Sequence, residues 1–316
     1  MNFLYRQTAA TRADAGLMEK VEGVKGRSLF ADARRRLFRN KAAVVSMVLL
    51  AIITLMAIFA PLLSPYGYSD IDYNLISCAP AWWPADAFTC HAGGAHWFGT
   101  DIVGRDLFIR VLYGARVSLA VGIVATLVSL IIGVFYGAAA GFIGGKTDTF
   151  MMRAVDILYA LPFIFFVIIL MVIFNQNFIL LFLAIGAVSW LTMARIVRGQ
   201  TLSAKQKEFV EAARAAGVGT FGIIRRHIIP NVVGPVIVYV TLTIPGVILA
   251  ESFLSFLGLG IREPLTSWGV LISDGAATME TAPWTLLFPG LFMALTLFCF
   301  NFIGDGLRDA LDPKDR

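Results

Sequence analysis

The sequence predicts an all-α membrane protein with six transmembrane helices and a large first segment on the outer face. Three observations carry that prediction. Hydrophobic residues make up 58% of the 316 and charged residues only 15%, and mean hydropathy is +0.77. A water-facing surface takes about 25% charged residues, so the natural solvent for this chain is a bilayer. Six apolar runs reach the roughly 20 residues that cross a bilayer as helix. Finally, 22 of the 26 Lys and Arg fall on the same side of those runs.

The chain opens with a basic leader, 1–41, that holds ten Lys and Arg. The first span, 42–63, begins too late and runs too long for a cleaved signal peptide. An outer loop follows at 64–115. A five-helix core, 116–305, then carries spans at 117–143, 154–174, 178–196, 232–257 and 284–303, with a long connection at 197–231. The tail is 306–316. No run shows the alternation of a membrane strand. Spans three and four are joined by Asn175, Gln176 and Asn177, which reads as a tight polar hairpin. The basic leader, connection and tail place both termini in the cytoplasm. The net charge of +5 is thus a topology signal and not a nucleic-acid footprint.

Two outer segments are long enough to require packed structure. The first is rich in Trp82, Trp83 and Trp97 and in Asp70, Asp72 and Asp86; the second, 258–283, contains Trp268. Residues 106–113 read as an interfacial stretch before the second span enters the bilayer. Cys78 and Cys90 share the first outer segment, an oxidising environment, and are expected to form a disulfide. Closing that loop contributes about 3 kcal/mol in the chain-entropy picture. Free thiols, or a metal held with His91 or His96, are the alternatives. Cys299 reads as a packing residue.

Gly133, Gly137, Gly141 and Gly145 recur every four residues. This is the small-residue face that lets membrane helices approach closely. The run Ala140 to Thr147 also fits a relaxed phosphate-loop pattern, but it closes a membrane helix where a phosphate loop opens a soluble one. Glu251, near the outer end of the fifth span, is either a polar contact that orders the outer loop or a pathway and gating residue. Pro245 in the same span frees a carbonyl. With only His91, His96 and His227 and no nucleophile elbow, no enzyme constellation or metal site emerges.

The connection 197–231 is the most informative stretch. Residues 205–216 are strong helix formers, with Thr201 or Ser203 placed to cap them and Gly217 to end them. Phe209, Val210, Ala213 and Ala216 form an apolar side with no local core in view. Thr220 is placed to cap a second helix that Pro230 stops. One reading is a loop folded on the membrane surface; the other is a docking knob for a soluble partner.

Glu211-Ala212-Ala213, Gly217 and Ile229-Pro230 together resemble the cytoplasmic signature of binding-protein-dependent ABC importer permeases. His227 departs from the general pattern and is similar to the peptide/nickel branch of that family. Residues 96–101 with Gly104-Arg105-Asp106, residues 252–260 and residues 304–313 resemble the same branch. The resemblance implies a type I ABC importer permease fold in a bacterial inner membrane. It makes Glu211, Ala212, Ala213, Gly217, His227 and Pro230 an ATPase-coupling loop. It also implies a second permease subunit, two cytoplasmic ATPases that carry the ATP and Mg, and a periplasmic peptide-binding protein. The chain itself is then non-catalytic and holds no cofactor. The alternative, a self-sufficient secondary transporter or channel, calls for inverted repeats, broken helices and buried charge pairs. From sequence only Glu251 answers that description.

Overall fold

The computed structural model describes residues 29–84, 90–173 and 178–311. Helix α1 (Leu29–Arg39) is a basic amphipathic helix within the leader. Asn40 separates it from α2 (Lys41–Ile58) and caps α2 by accepting the Ala43 N–H at 3.2 Å. A short α3 (Ala60–Leu63) completes the first predicted span. Beyond it, β1 (Ala79–Pro80) and β2 (His91–Ala92) pair in parallel. Cys78 and Cys90, one residue before each strand, are joined as a disulfide.

Helix α4 (Leu107–Ile143) is 37 residues long, about 55 Å at 1.5 Å per residue, and so overshoots a hydrocarbon core of about 30 Å. Its first two turns are residues 107–113, the stretch expected at the interface. Those turns are buried instead, Arg110 included. Asp106 starts the helix by accepting the Ile109 N–H at 2.8 Å. The outer loop thus ends at residue 106 and packs onto the projecting end of α4. Trp284 donates to the Thr100 carbonyl at 3.2 Å, and Trp268 donates to the Val111 carbonyl at 3.1 Å.

The third predicted span is not one helix. It splits into α5 (Gly145–Ala160) and α6 (Phe163–Ile173). Pro162 is the cause: it forces the residue before it out of helical geometry, and Leu161 adopts φ −73, ψ 132. The hairpin expected at Asn175–Asn177 lies outside the described residues. Helix α7 (Phe178–Ala204) continues past its predicted end at residue 196. Five helices among the described residues are long and apolar enough to cross a membrane: Lys41–Ile58, Leu107–Ile143, Phe182–Ala204, Thr220–Phe256 and Trp284–Leu311.

The centre of the molecule is the contact between α4 and α7. A Cβ on Gly137 would lie 2.3 Å from the Ala194 carbonyl oxygen, and one on Gly133 2.5 Å from Met193 Cγ. Gly141 abuts Arg198 and Thr201, and Gly186 of α7 abuts Ala125 and Val128 of α4. These contacts advance in the same direction along both helices, so α4 and α7 are parallel. Gly145 is not part of this face. Helix α4 ends at Ile143, and Gly144 and Gly145, both with positive φ, form the turn into α5. Any Cβ on Gly145 would meet open space.

Parallel packing dictates the path between them. Gly141 lies beside Thr201, and α7 begins 23 residues earlier at Phe178, about 35 Å away along the helix. Helices α5 and α6 carry the chain back over that distance. Helix α12 (Trp284–Leu311) runs through the expected tail to Leu311 and packs on α1 and α2, where Gly306 faces Leu37 and Ala43.

Gly137→Ala is expected to force the α4 and α7 backbones apart and to destabilise the fold by about 1–3 kcal/mol, the usual range for overpacking. Gly199→Ala on the open side of α7, where a Cβ meets nothing within 4 Å, is the control. Thermal unfolding of both variants in detergent checks this; equal midpoints would refute the close contact.

Candidate functional site

At the basic end of the bundle, α7 turns into a short helix α8 (Glu208–Ala215). Its start differs from expectation: Thr201 and Ser203 lie within α7, and Lys207 stands at the N-cap without a side-chain cap bond. Its end matches the expected geometry. Gly217 has φ +78, its N–H meets the Arg214 carbonyl at 2.9 Å, and the Val218 N–H meets the Ala213 carbonyl at 3.1 Å. Those two bonds constitute a Schellman motif, which needs a left-handed residue at this position.

The apolar side of α8 does have a core. Val210 and Ala213 are buried with Val134, Ala138 and Phe142 of α4, Met193 and Val197 of α7, and Ile223, Ile224 and Ile228. Arg214 and Lys205 both place their cations over the Phe142 ring, at 5.2 and 5.6 Å. Sequence periodicity found the stripe, but not the ends of distant helices that cover it. What stays open is the opposite face: Glu211, Ala212 and Ala216 are exposed, Phe209 is 36% exposed, and Phe221 in the next turn is 68% exposed. The knob is thus rigidly seated on the bundle and displays a small, mixed apolar and acidic surface.

After Gly219 the chain forms α9 (Thr220–Ile223), a π-helical turn (Ile224–Ile228) and α10 (Ile229–Phe256) without a stop. Gly219, not Thr220, is the N-cap. Pro230 does not end the helix as expected. It occupies the first turn of α10, where its missing N–H costs little, and the wide π turn before it absorbs the ring. His227 lies in that turn, half-buried, and its carbonyl accepts from Asn231 at 2.7 Å.

A cavity of about 600 Å³ opens between α5, α7 and α10. The break at Leu161 and Pro162 lines it, with Tyr159, Ser189, Thr192, Tyr239 and Thr243 supplying hydroxyls among apolar neighbours. Irregular backbone at membrane depth is tolerated where it lines such a cavity. Glu251 does not line it. Fully buried, Glu251 accepts from Ser255 and Ser267, each at 2.7 Å. Ser267 in turn caps α11 (Trp268–Ala277) by accepting the Val270 N–H. Glu251 thus bonds the residue from which α11 starts, at the end of the second outer segment's irregular stretch.

The opposite end is held by polar contacts that the sequence did not reveal. Arg105 bonds Asp101 at 2.7 Å and Glu263 at 2.6 Å, which ties the two outer segments together. His96 stacks on Tyr66 and meets Asp106 at 2.8 Å. Burial pushes the Asp106 carboxyl above the ordinary carboxylate range, opposed by the Ile109 N–H and His96. Burial likewise raises Asp274 against the pull of Arg110 and Arg105.

Comparison with known proteins agrees with this arrangement. Residues 130–316 match the family described as binding-protein-dependent transport system inner membrane component. Residues 28–80 match the N-terminal TM domain of oligopeptide transport permease C. The oligopeptide transport system permease protein OppC of Haemophilus influenzae is 55% identical over 99% of both chains. Its namesake in Escherichia coli K12 is 58% identical over 94% of this chain and 95% of its own, and that of Bacillus subtilis is 44% identical over 96% and 95%. A chain of the MetNI methionine ABC transporter, in inward-facing conformations, shares the fold with a TM-score of 0.53 and 17% identity, over 65% of this chain and 96% of that one. With a knob at one end, a cavity beside a broken helix and these relatives along its length, the chain belongs to the binding-protein-dependent transport system inner membrane components.

Proposed function

We propose that this chain is the permease subunit of an ATP-driven oligopeptide importer, forming half of the translocation pathway beside a second permease subunit. The observation that carries the reading is the knob. Helix α8 is locked to the ends of α4 and α7 by Val210, Ala213 and Arg214, while Glu211, Ala212 and Phe209 face outward. A push on that surface reaches the cavity through α7, which runs unbroken from Ala204 to the lining residues Thr192 and Ser189. The names of the relatives support oligopeptides as cargo.

On this reading the chain crosses a bacterial inner membrane six times with both termini in the cytoplasm. The parallel course of α4 and α7 supports the sixth crossing, made by the broken pair α5 and α6. The knob faces two cytoplasmic ATPases, which hold the ATP and Mg. The opposite end, with the 64–106 segment, receives a periplasmic peptide-binding protein. Glu211, Ala212, Ala213, Gly217, His227 and Pro230 form the coupling loop. Glu251 anchors the second outer segment.

Gly217→Val is expected to strain the left-handed turn by about 1–2 kcal/mol, since no atom lies within 4 Å to interfere otherwise. It redirects the chain entering α9. Glu211→Lys reverses charge on the exposed face and weakens ATPase docking. In reconstituted complexes both variants should keep normal membrane abundance yet lose peptide uptake. Wild-type uptake with coupled hydrolysis in both would remove the coupling role of this loop.

Cys78 and Cys90 should resist alkylation in membranes until a reductant is added. Peptide mapping of non-reduced membranes reads this directly; free labelling of both thiols would contradict an oxidised periplasmic loop.

A further inference from the structure

The fold brings together two charges on helices at the cavity. Asp156 on α5 and Arg195 on α7 form an ion pair at 2.8 Å, with side chains 54% and 38% exposed. The Arg195 guanidinium lies 4.3 Å from the centre of the Tyr159 ring. Tyr159 and Thr192 both line the cavity, and each stands one helical turn from its charged neighbour. The pair therefore sits on the cavity rim, on the side towards α8.

A second pair, Asp148 with Arg198, already fastens α5 to α7. It is bidentate, at 2.5 and 2.7 Å, and its carboxylate is only 13% exposed. Asp156 and Arg195 are too open to add much, since exposed pairs contribute at most about 1 kcal/mol. Ionisable groups on membrane helices are nevertheless costly and mark ligand or ion pathways. The lining of the cavity carries hydroxyls and no formal charge, so the rim pair supplies both signs beside an otherwise neutral chamber. The guanidinium holds five N–H donors, and the contact with Asp156 uses one of them.

We propose that Asp156 and Arg195 form a cargo-binding site for the unblocked ends of linear peptides, Arg195 taking the carboxylate end and Asp156 the ammonium end as each end in turn passes the rim. The proposal rests on the importer reading above. It assigns the neutral cavity to the rest of the peptide, where hydroxyls meet main-chain amides without selecting side chains. It assigns discrimination between free and capped ends to the rim.

The test uses the complete complex in liposomes, with its partner subunits and its binding protein. One tripeptide is supplied free, N-acetylated and C-amidated, each preloaded on the binding protein to equal occupancy. Wild type should favour the free form. Arg195→Gln should lower uptake of the free peptide about 10-fold, the worth of a hydrogen bond to a charged group, and erase its advantage over the amidated form. Asp156→Asn should do the same against the acetylated form, while Arg195→Lys should retain most of the preference. Equal wild-type uptake of all three forms overturns the site. So does a variant that lowers all three by one factor, because the pair then only fastens helices, whether within this chain or to the second subunit. A wild-type complex that hydrolyses ATP and accumulates no form of the peptide overturns the importer reading, and the site with it.

Discussion

The close approach of α4 to α7 is the constraint on which the rest of the structure depends. Between two helices in lipid there is little hydrophobic drive, so association rests on packing and on small residues that let backbones meet. Gly133, Gly137 and Gly141 of α4 and Gly186 of α7 supply that contact over the second half of α4 and most of α7. Because the two run parallel, the intervening chain has to travel back along the bundle. The double-glycine turn at Gly144 and Gly145 starts that return, and Pro162 divides it. The cavity lies where the return is broken.

The same contact explains how the two ends of the molecule are built. At the basic end, α4 and α7 finish together, and their last turns form the socket that buries Val210 and Ala213 of the knob. At the other end α4 overshoots, and its projecting turns become the post for the outer segments. Trp268 and Trp284 hydrogen-bond to that post and to the strand-bearing loop. Asp101, Arg105 and Glu263 cross-link the two outer segments above it. Rigid ends with an irregular, lined break between them are what a gated passage requires.

Much of this was legible in the residues, and the failures have physical causes. The glycine spacing identified the packing face through Gly141, because four-residue periodicity is a property of a helix; it failed at Gly145, where the helix had ended. Gly217 was readable because its local geometry depends on few neighbours. Pro162 and Pro230 were misjudged in opposite directions. Hydropathy averaged across Pro162 and hid a break, while Pro230 looked like a stop although a π turn accommodates it. Residues 106–113 looked interfacial because burying Arg110 depends on Asp101 and on Glu263, the latter distant in sequence. The ion pairs between α5 and α7 were invisible for the same reason: Asp148 and Asp156 meet Arg198 and Arg195 only after the chain has folded back.

The central claim of the proposed topology is that parallel α4 and α7 enclose one further crossing, so that the start of α5 and the end of α6 lie on opposite sides of the membrane. Substituted-cysteine labelling with a membrane-impermeant maleimide tests it most directly, with Cys299 replaced by Ala in each variant. In intact spheroplasts Gln176→Cys should label, and Lys146→Cys should label only after the membrane is opened. Labelling of both positions from the same side would contradict the crossing, and with it the account of how the cavity is formed.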